Sequence, residues 1–223
     1  MALIGSAAIV MWNDTQDPTA TAHWHSKQHL EERLSCPGFL RGRRMICVEP
    51  ERTEHFMIYE LESLGVAESQ PYLDRLNNPT EWSTAVMKTV ISHSRTSCNL
   101  RRTEGLGVAP LALVGRFNPE VEDPEFEVAL DRFLTHAMEQ PGVTGISWIE
   151  RAGAAPSVMT REQKLRGKRD GTVQAAFLVE GYDAECLGQL ARMDVVDADA
   201  PDDLSLKLFQ LDHIVTAQDV PQA

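Results

Sequence analysis

Short runs of apolar residues give way to the three-four spacing of an amphipathic helix, and the exchange occurs in the same order twice along the chain. In the first half, GSAAIVMW (5–12) predicts a strand and QDPTAT a helix start. An amphipathic helix follows over roughly 20–35, ended by Pro37-Gly38, and FLRGRRMICVE then has the content of a strand. HFMIYEL (His55–Leu61) predicts the next strand, a helix interrupted by NNPTEW follows, and a last strand runs over 90–102. The second half offers LALVGRF (Leu111–Phe117), the loop NPEVEDP and a helix near 124–139, ended by Pro141-Gly142. It continues with strands in VTGISWIERAG and 173–182, a helix over roughly 183–193 and a strand over 204–215.

Sliding the sequence along itself by about 104 residues brings Pro37-Gly38 onto Pro141-Gly142, with matching elements on either side. The order is βαββαβ twice, the ferredoxin-like motif. Such a unit covers one sheet face with helices and leaves the other in need of a partner. The expected fold class is therefore α+β. Two fused ferredoxin-like units, 1–104 and 105–223, would enclose a barrel as a pseudo-dimer. Two unrelated α+β domains are the alternative.

Composition changes this picture little. At 223 residues the chain is long enough for a sizeable core, with 43% hydrophobic and 24% charged residues. A net charge of -12 argues against nucleic acid or an anionic membrane as partner. The apolar start MALIGSAAIVMW has no basic flank and is too short to span a bilayer, so it reads as a strand. Cys36, Cys47, Cys98 and Cys186 show no ligand spacing, and reduced thiols in a cytoplasmic protein are expected. No phosphate-binding glycine loop, GxSxG, HExxH or CxxC occurs.

The chemistry-bearing residues concentrate in WHSKQHLEERLSCPGFLRGRR (24–44) and YLDRLNNPTEW (Tyr72–Trp82). Trp24, His29, Arg33 and Pro37-Gly38-Phe39 form a Trp-x4-His-x3-Arg pattern followed by Pro-Gly-Phe. In this the first half resembles the EthD-like branch of the dimeric α+β barrel superfamily; the second half keeps only the architecture. The resemblance implies a pocket in the first half. It leaves open which chemistry applies, because related barrels include isomerases, cyclases, cofactor-free monooxygenases, haem enzymes and sensing domains.

On a regular helix Ala20, Trp24, Leu30 and Leu34 form one stripe, and His25, His29 and Glu32 gather beside it. Three readings compete for the polar stripe. His25 and His29 could hold a metal ion with Glu32 as a third ligand, but no further ligand stands at suitable spacing, so no metal is expected. His23 and His25 could lie on a solvated face, making weak surface pairs. His29 could move a proton, with Glu32 orienting its ring. In the second half Phe133 stands eight residues before Pro141, where the first half has His29 before Pro37.

Alternation places Arg41 and Arg43 on one strand face with Phe39, and Arg44 on the other. The two arginines read either as a cavity-facing fork for an oxyanion, or as a pair neutralised by Glu60 and Glu62. Tyr59 could donate to a carbonyl oxygen or simply pack. Asn78 or Thr80 should cap the helix that restarts at Glu81, while the resemblance makes Asn78 a polar contact and Trp82 an aromatic wall of the pocket. His93 and Arg95 share a strand face that could line the cavity or meet solvent. The stretch 153–171 carries Arg161, Lys164, Arg166, Lys168 and Arg169, and reads as a lid over an anion, a mobile basic loop or a subunit contact. The acidic turn at 198–205 shows no chemistry.

The expected function is a cofactor-independent lyase or isomerase of small-molecule catabolism, of the isomerase, cyclase, dehydratase or decarboxylase type. It would act on an aromatic, polyketide-like or lactone substrate. His29, Glu32, Arg41 and Arg43 would be the catalytic set, with Trp24, Tyr59, Asn78, Trp82 and His93 contacting substrate. A cofactor-free or haem-dependent oxygenase and a non-catalytic binding protein are the rival expectations, and a homodimer is compatible with each.

Overall fold

Along β1 (Ala7–Thr15), Ala8, Val10 and Trp12 point to one side of the sheet and Ala7, Ile9 and Met11 to the other, and both sides are buried. β3 (His55–Leu61) is likewise buried at every position. Such strands need a partner layer on each face. The computed structural model, which describes residues 1–49, 54–117, 124–153, 159–167, 170–193 and 205–221, supplies both.

Eight antiparallel strands form a closed barrel in the order β1-β3-β2-β8-β5-β7-β6-β4. The others are β2 (Phe39–Cys47), β4 (Val90–Gly105), β5 (Leu111–Phe117), β6 (Val143–Arg151), β7 (Ala175–Gly181) and β8 (Ser205–Thr216). The first four strands run β4-β1-β3-β2 and the second four β8-β5-β7-β6, the same order in each half. Closure comes from β2 on β8 and from β4 on β6. Among the described residues no strand is left with an unpaired edge. The long strands β4 and β8 each pair with both halves, so the boundary expected near 104 falls at the end of a strand shared by both.

The registers of the halves match in detail. Ala7 pairs with Leu61 as Leu111 pairs with Gly181. A register shift separates Phe39 from Arg41 on β2, and an equivalent one separates Val143 from Gly145 on β6. Gly38 and Gly142, just before those strands, have φ of 88° and 95°. An added Cβ would stand 2.4 Å from Val66 Cγ2 at Gly38 and 2.5 Å from Asp183 Cβ at Gly142. Conformation and space both demand glycine at the shared Pro-Gly.

Helices cover the outside. The first helix begins as α1 (Pro18–Trp24), where the Asp17 carboxylate accepts from the Ala20 N–H, and passes through a π-helical turn (His25–His29) into α2 (Leu30–Leu34). α3 (Gln70–Asn77) and α4 (Glu81–Met87) complete the first half, with Thr80 as the N-cap of α4. α5 (Pro124–Met138) and α7 (Ala184–Leu190) cover the second half, and a short α6 (Arg161–Leu165) lies between β6 and β7.

The barrel interior is mostly apolar, built from residues such as Val10, Ile58, Val114, Leu178 and Phe209. Two charged clusters interrupt it: Arg116 and Lys207 meet the buried Glu54, and a second cluster centres on Glu60 and Glu180. Arg41 donates from Nε and Nη2 to the two oxygens of Glu60, at 2.8 and 2.7 Å. Arg43, fully buried, donates from Nη1 to Glu180 Oε1 at 2.7 Å, and its Nε lies 3.1 Å from Glu60 Oε1. The Ile4 N–H also donates to Glu60. Glu60 and Glu180 hold equivalent places in the two halves, opposite the matching register shifts. Burial pushes the Glu180 carboxyl above its ordinary value, and Arg43 opposes that shift.

Arg41 and Arg43 therefore do not face the helix side with Phe39 as simple alternation predicts. The shift between Phe39 and Arg41 resets the alternation, so Phe39 joins the outer apolar cluster while the arginines point inward. Removing Arg43 strands Glu180 inside the barrel, while Glu60 keeps Arg41. Arg43→Met is expected to cost about 3–5 kcal/mol in a denaturant titration. Adding Glu180→Leu to that variant should recover much of the loss, and an unshifted midpoint for Arg43→Met would show that the cluster carries no such weight.

Candidate functional site

A cavity of about 450 Å³ lies in the first half, between the outer face of β1, β3 and β4 and the helices above it. Met11, Asn13, Met57, Tyr59, His93 and Arg95 form its floor. Thr21, Trp24, His25, His29 and Arg33 reach in from the first helix, Tyr72, Leu76 and Asn77 from α3, and Val86 and Met87 from α4. The connection between β6 and β7 closes it with Met159, Thr160, Glu162, Gln163 and Arg166.

The π turn decides what the first helix offers. The Leu30 N–H donates to the His25 carbonyl, five residues back, so this turn holds one residue more than an α turn. The wider turn brings His25 and His29 into register, with ring centroids 5.5 Å apart. Past it the winding is α again, and Arg33, four residues on from His29, follows it into the cavity. Glu32 instead accepts from Gln28 Nε2 at 2.6 Å, outside the lining. The expected His29–Glu32 pair is not formed.

His29 is 6% exposed and its ring stacks on Trp24, with centroids 4.2 Å apart. Trp24 is held in turn by donating from Nε1 to Ser83 Oγ at 3.2 Å. His29 Nδ1 is buried without a partner, which leaves Nε2 as the ring nitrogen reached from the cavity. Desolvation, reinforced by the positive charge of Arg33, lowers the His29 pKa well below 6.5. Burial, with Arg44 as the next cause, does the same to His25. Both rings are neutral near pH 7.

His25 is fully buried, against the expectation of a solvated ring, and its Nε2 lies 3.0 Å from the Tyr59 hydroxyl. Its Nδ1 is buried with no partner. A bare lone pair there is less costly than a stranded N–H, so His25 Nε2–H donates to Tyr59. The Tyr59 hydroxyl hydrogen is then free to point into the cavity. Burial pushes the Tyr59 phenol well above its ordinary value, so it remains a donor.

Arg33 forms a buried pair with Glu162 of α6, while its Nη1 has no hydrogen-bond partner. Arg166 pairs with Asp170 at 2.8 Å. Arg95 donates from Nη2 to the Tyr72 hydroxyl at 3.1 Å, and its Nε is buried without a partner.

Of the residues expected at the site, Trp24, His29, Tyr59 and His93 line this cavity. Arg41 and Arg43 are across the sheet in the barrel interior. Asn78 caps α3, donating from Nδ2 to the Asp74 carbonyl, and it is Asn77 that faces the cavity. Trp82 is 38% exposed and packs edge-on against His23, outside the lining. The 153–171 connection contributes a buried acid, Glu162, as well as the expected Arg166; Lys168 and Arg169, and the acidic turn apart from Ser205, lie outside the described residues. His25, Arg33, Tyr72 and Glu162 are the lining groups that sequence reasoning missed. Arg33 and Tyr72 stood inside the two quoted stretches, whereas nothing local marked Glu162.

The second half has no such cavity among its described residues. Matching the strand registers, Asn13 corresponds to Phe117, Met57 to Phe177 and Tyr59 to Val179, all packed in one apolar cluster with Phe133 from the uninterrupted α5. Among the described residues no group of three or more His, Cys, Asp or Glu stands where it could hold a metal ion, and no helix is long and apolar enough to cross a membrane.

Neither a family model nor a curated protein sequence matches the chain. Solved structures do. An anthrone oxidase-like protein superposes with a TM-score of 0.68 at 10% identity, covering 100% of this chain and 98% of its own. A proposed monooxygenase from Fusobacterium nucleatum gives 0.60 at 7% identity, with 96% of both chains covered. Another from Lactobacillus acidophilus gives 0.55 at 10% identity, covering 95% of this chain and 97% of its own. At these identities the likeness is one of fold alone.

His29→Phe copies the residue that the second half carries at the matching place before its Pro-Gly. Removing an unpaired buried polar group should raise stability by about 1 kcal/mol, roughly 2–4 °C in melting temperature. The unfolded chain takes up protons near pH 6.5 that folded His25 and His29 refuse. Stability therefore stays level in these two terms above pH 6.5 and falls as the pH drops below it. Thermal melts at pH 7.5, 6.5 and 5.5 should show a shallower decline for the His25→Phe, His29→Phe double variant than for the wild type.

Proposed function

We propose that the cavity is the active site of a cofactor-independent enzyme that removes a proton from a carbon acid of the aromatic or polyketide-like class. The observation that carries this reading is His29: a neutral imidazole with a cavity-facing nitrogen, at a place the second half fills with Phe133 in solid apolar packing. In the tautomer with its hydrogen on Nδ1, which costs one buried unpartnered donor, His29 Nε2 takes the proton as the substrate C–H bond breaks. The electron pair moves onto the adjacent carbonyl oxygen, and the Tyr59 O–H, oriented by His25, donates to that developing oxyanion. Return of the proton to another carbon gives an isomerase; loss of a leaving group gives a dehydratase. Because burial makes His29 a weak base, the substrate must be an acidic one, such as a carbon flanked by aromatic rings and a carbonyl.

We further read the chain as two fused ferredoxin-like units of the EthD-like branch, 1–104 and 105–223, with the site in the first. The matching strand order, register shifts, Pro-Gly turns and glutamates support that reading.

A second reading shares the first step. In cofactor-free oxygenation the carbanion gives an electron to dioxygen in place of recovering its proton. The oxidase and monooxygenase names of the structures matched in fold favour keeping it.

The test is hydrogen exchange in D2O on a panel of anthrone, its hydroxylated derivatives and their carboxylic acids, read by NMR with an oxygen electrode in parallel. Wild-type protein should accelerate exchange at the acidic carbon, and His29→Ala should abolish it while remaining folded. The rate should hold level as the pH falls through 6.5, because the base stays unprotonated there. Exchange without oxygen uptake supports the isomerase class, and uptake supports the oxygenase. Equal exchange by wild type and His29→Ala would end the proposal.

A further inference from the structure

The charges that meet in the cavity do not balance. Arg33 is matched by Glu162 and Arg166 by Asp170, while His25 and His29 are neutral. Arg95 remains. Its only hydrogen bond from the side chain goes to the uncharged Tyr72 hydroxyl, and it has no carboxylate partner among the described residues. Its guanidinium carbon sits 5.7 Å from the centre of the Tyr72 ring, and that of Arg33 sits 5.5 Å from the same ring. Arg95 Nε and Arg33 Nη1 are both buried donors with nothing to donate to, and Arg33 as a whole is 2% exposed.

Arg95 is half-buried with its Nε fully covered, and a guanidinium partly removed from water without a counter-charge is costly to keep. Elsewhere this chain avoids that cost with care: Arg41 and Arg43 share Glu60 and Glu180, and Arg44, also buried, meets Asp212. The exception is in the one cavity described for the chain. From this imbalance we infer that the natural ligand is an aromatic monocarboxylate, whose carboxylate sits on Arg95 and extends toward the free Nη1 of Arg33.

The planar fork of Arg95 suits a carboxylate better than a single oxygen. The rest of the lining suits an aromatic body, with Trp24, Met11, Met57, Leu76, Val86 and Met87 around it. The inference rests on the cavity being the ligand site and names the class of ligand. It also bears on the base. A bound carboxylate offsets the arginine charge that, with desolvation, depresses His29, and so makes the ring a better proton acceptor when substrate is present.

Quenching of tryptophan fluorescence, with Trp24 in the cavity wall, tests this with 2-naphthoate, 2-naphthamide and 2-naphthol at pH 7.5. These share a ring system and differ in charge. The expected result is naphthoate binding at least about tenfold more tightly than the amide or the naphthol. Arg95→Gln should bring the three within about twofold of one another, and Arg95→Lys should restore part of the preference. Arg101→Gln, an exposed arginine on the same strand, should leave the preference intact. Equal affinities in the wild type, a preference that survives Arg95→Gln in folded protein, or no saturable quenching by any carboxylate from benzoate to anthracene-2-carboxylate would each overturn it. Carboxylate preference without hydrogen exchange would instead sink the proton-transfer reading alone. Exchange without the preference would do the reverse.

Discussion

The rest of the molecule depends on a constraint of backbone pairing. Each half ends in two sheet edges, and only the other half can satisfy them, through β2 on β8 and β4 on β6. An open four-stranded sheet would expose two rows of unpaired amides and carbonyls together with an apolar face. Closing the barrel removes both problems at once. The charged cluster follows from it, because Arg43 on β2 can reach Glu180 on β7 only inside a closed barrel. The two halves are therefore one folding unit, although the sequence divides between them.

Closure also explains why the site lies outside the barrel. The interior is filled by side chains such as Trp12, Phe56 and Phe209, and one end is taken by a neutralised set of two arginines and two glutamates. The only layer left to open is the one between sheet and helices. In the second half Phe117, Phe133 and Phe177 fill that layer. In the first half smaller or polar residues leave it hollow, and α6 from the second half covers the opening. The cavity thus borrows a wall from the half whose own layer is filled.

The fold was largely legible because its signals are local and repeated. Strand alternation, the Pro-Gly turns and the distance between them placed nearly every element. The site was less legible, for a reason that can be named. Glu32 and Arg33, three and four residues on from His29, both lie beside it on an α-helix, and their partners decide which one enters the cavity: Gln28 holds Glu32 outside and Glu162 draws Arg33 in. Arg41 and Arg43 were misplaced by a one-residue effect, the register shift next to Phe39. Glu162 could not be found at all, since it reaches Arg33 across 129 positions of sequence.

The π turn has a bearing on how such a site could arise. α5 runs without interruption from Pro124 to Met138, and the matching first helix breaks its winding only at His25–His29. The chain from Asn13 to Pro37 is as long as that from Phe117 to Pro141, so the π turn is a rewinding and not an insertion. The strand before it and the Pro-Gly after it can stay where the barrel needs them. A change of winding confined to one turn thus alters which side chains look inward while the elements on either side hold the barrel.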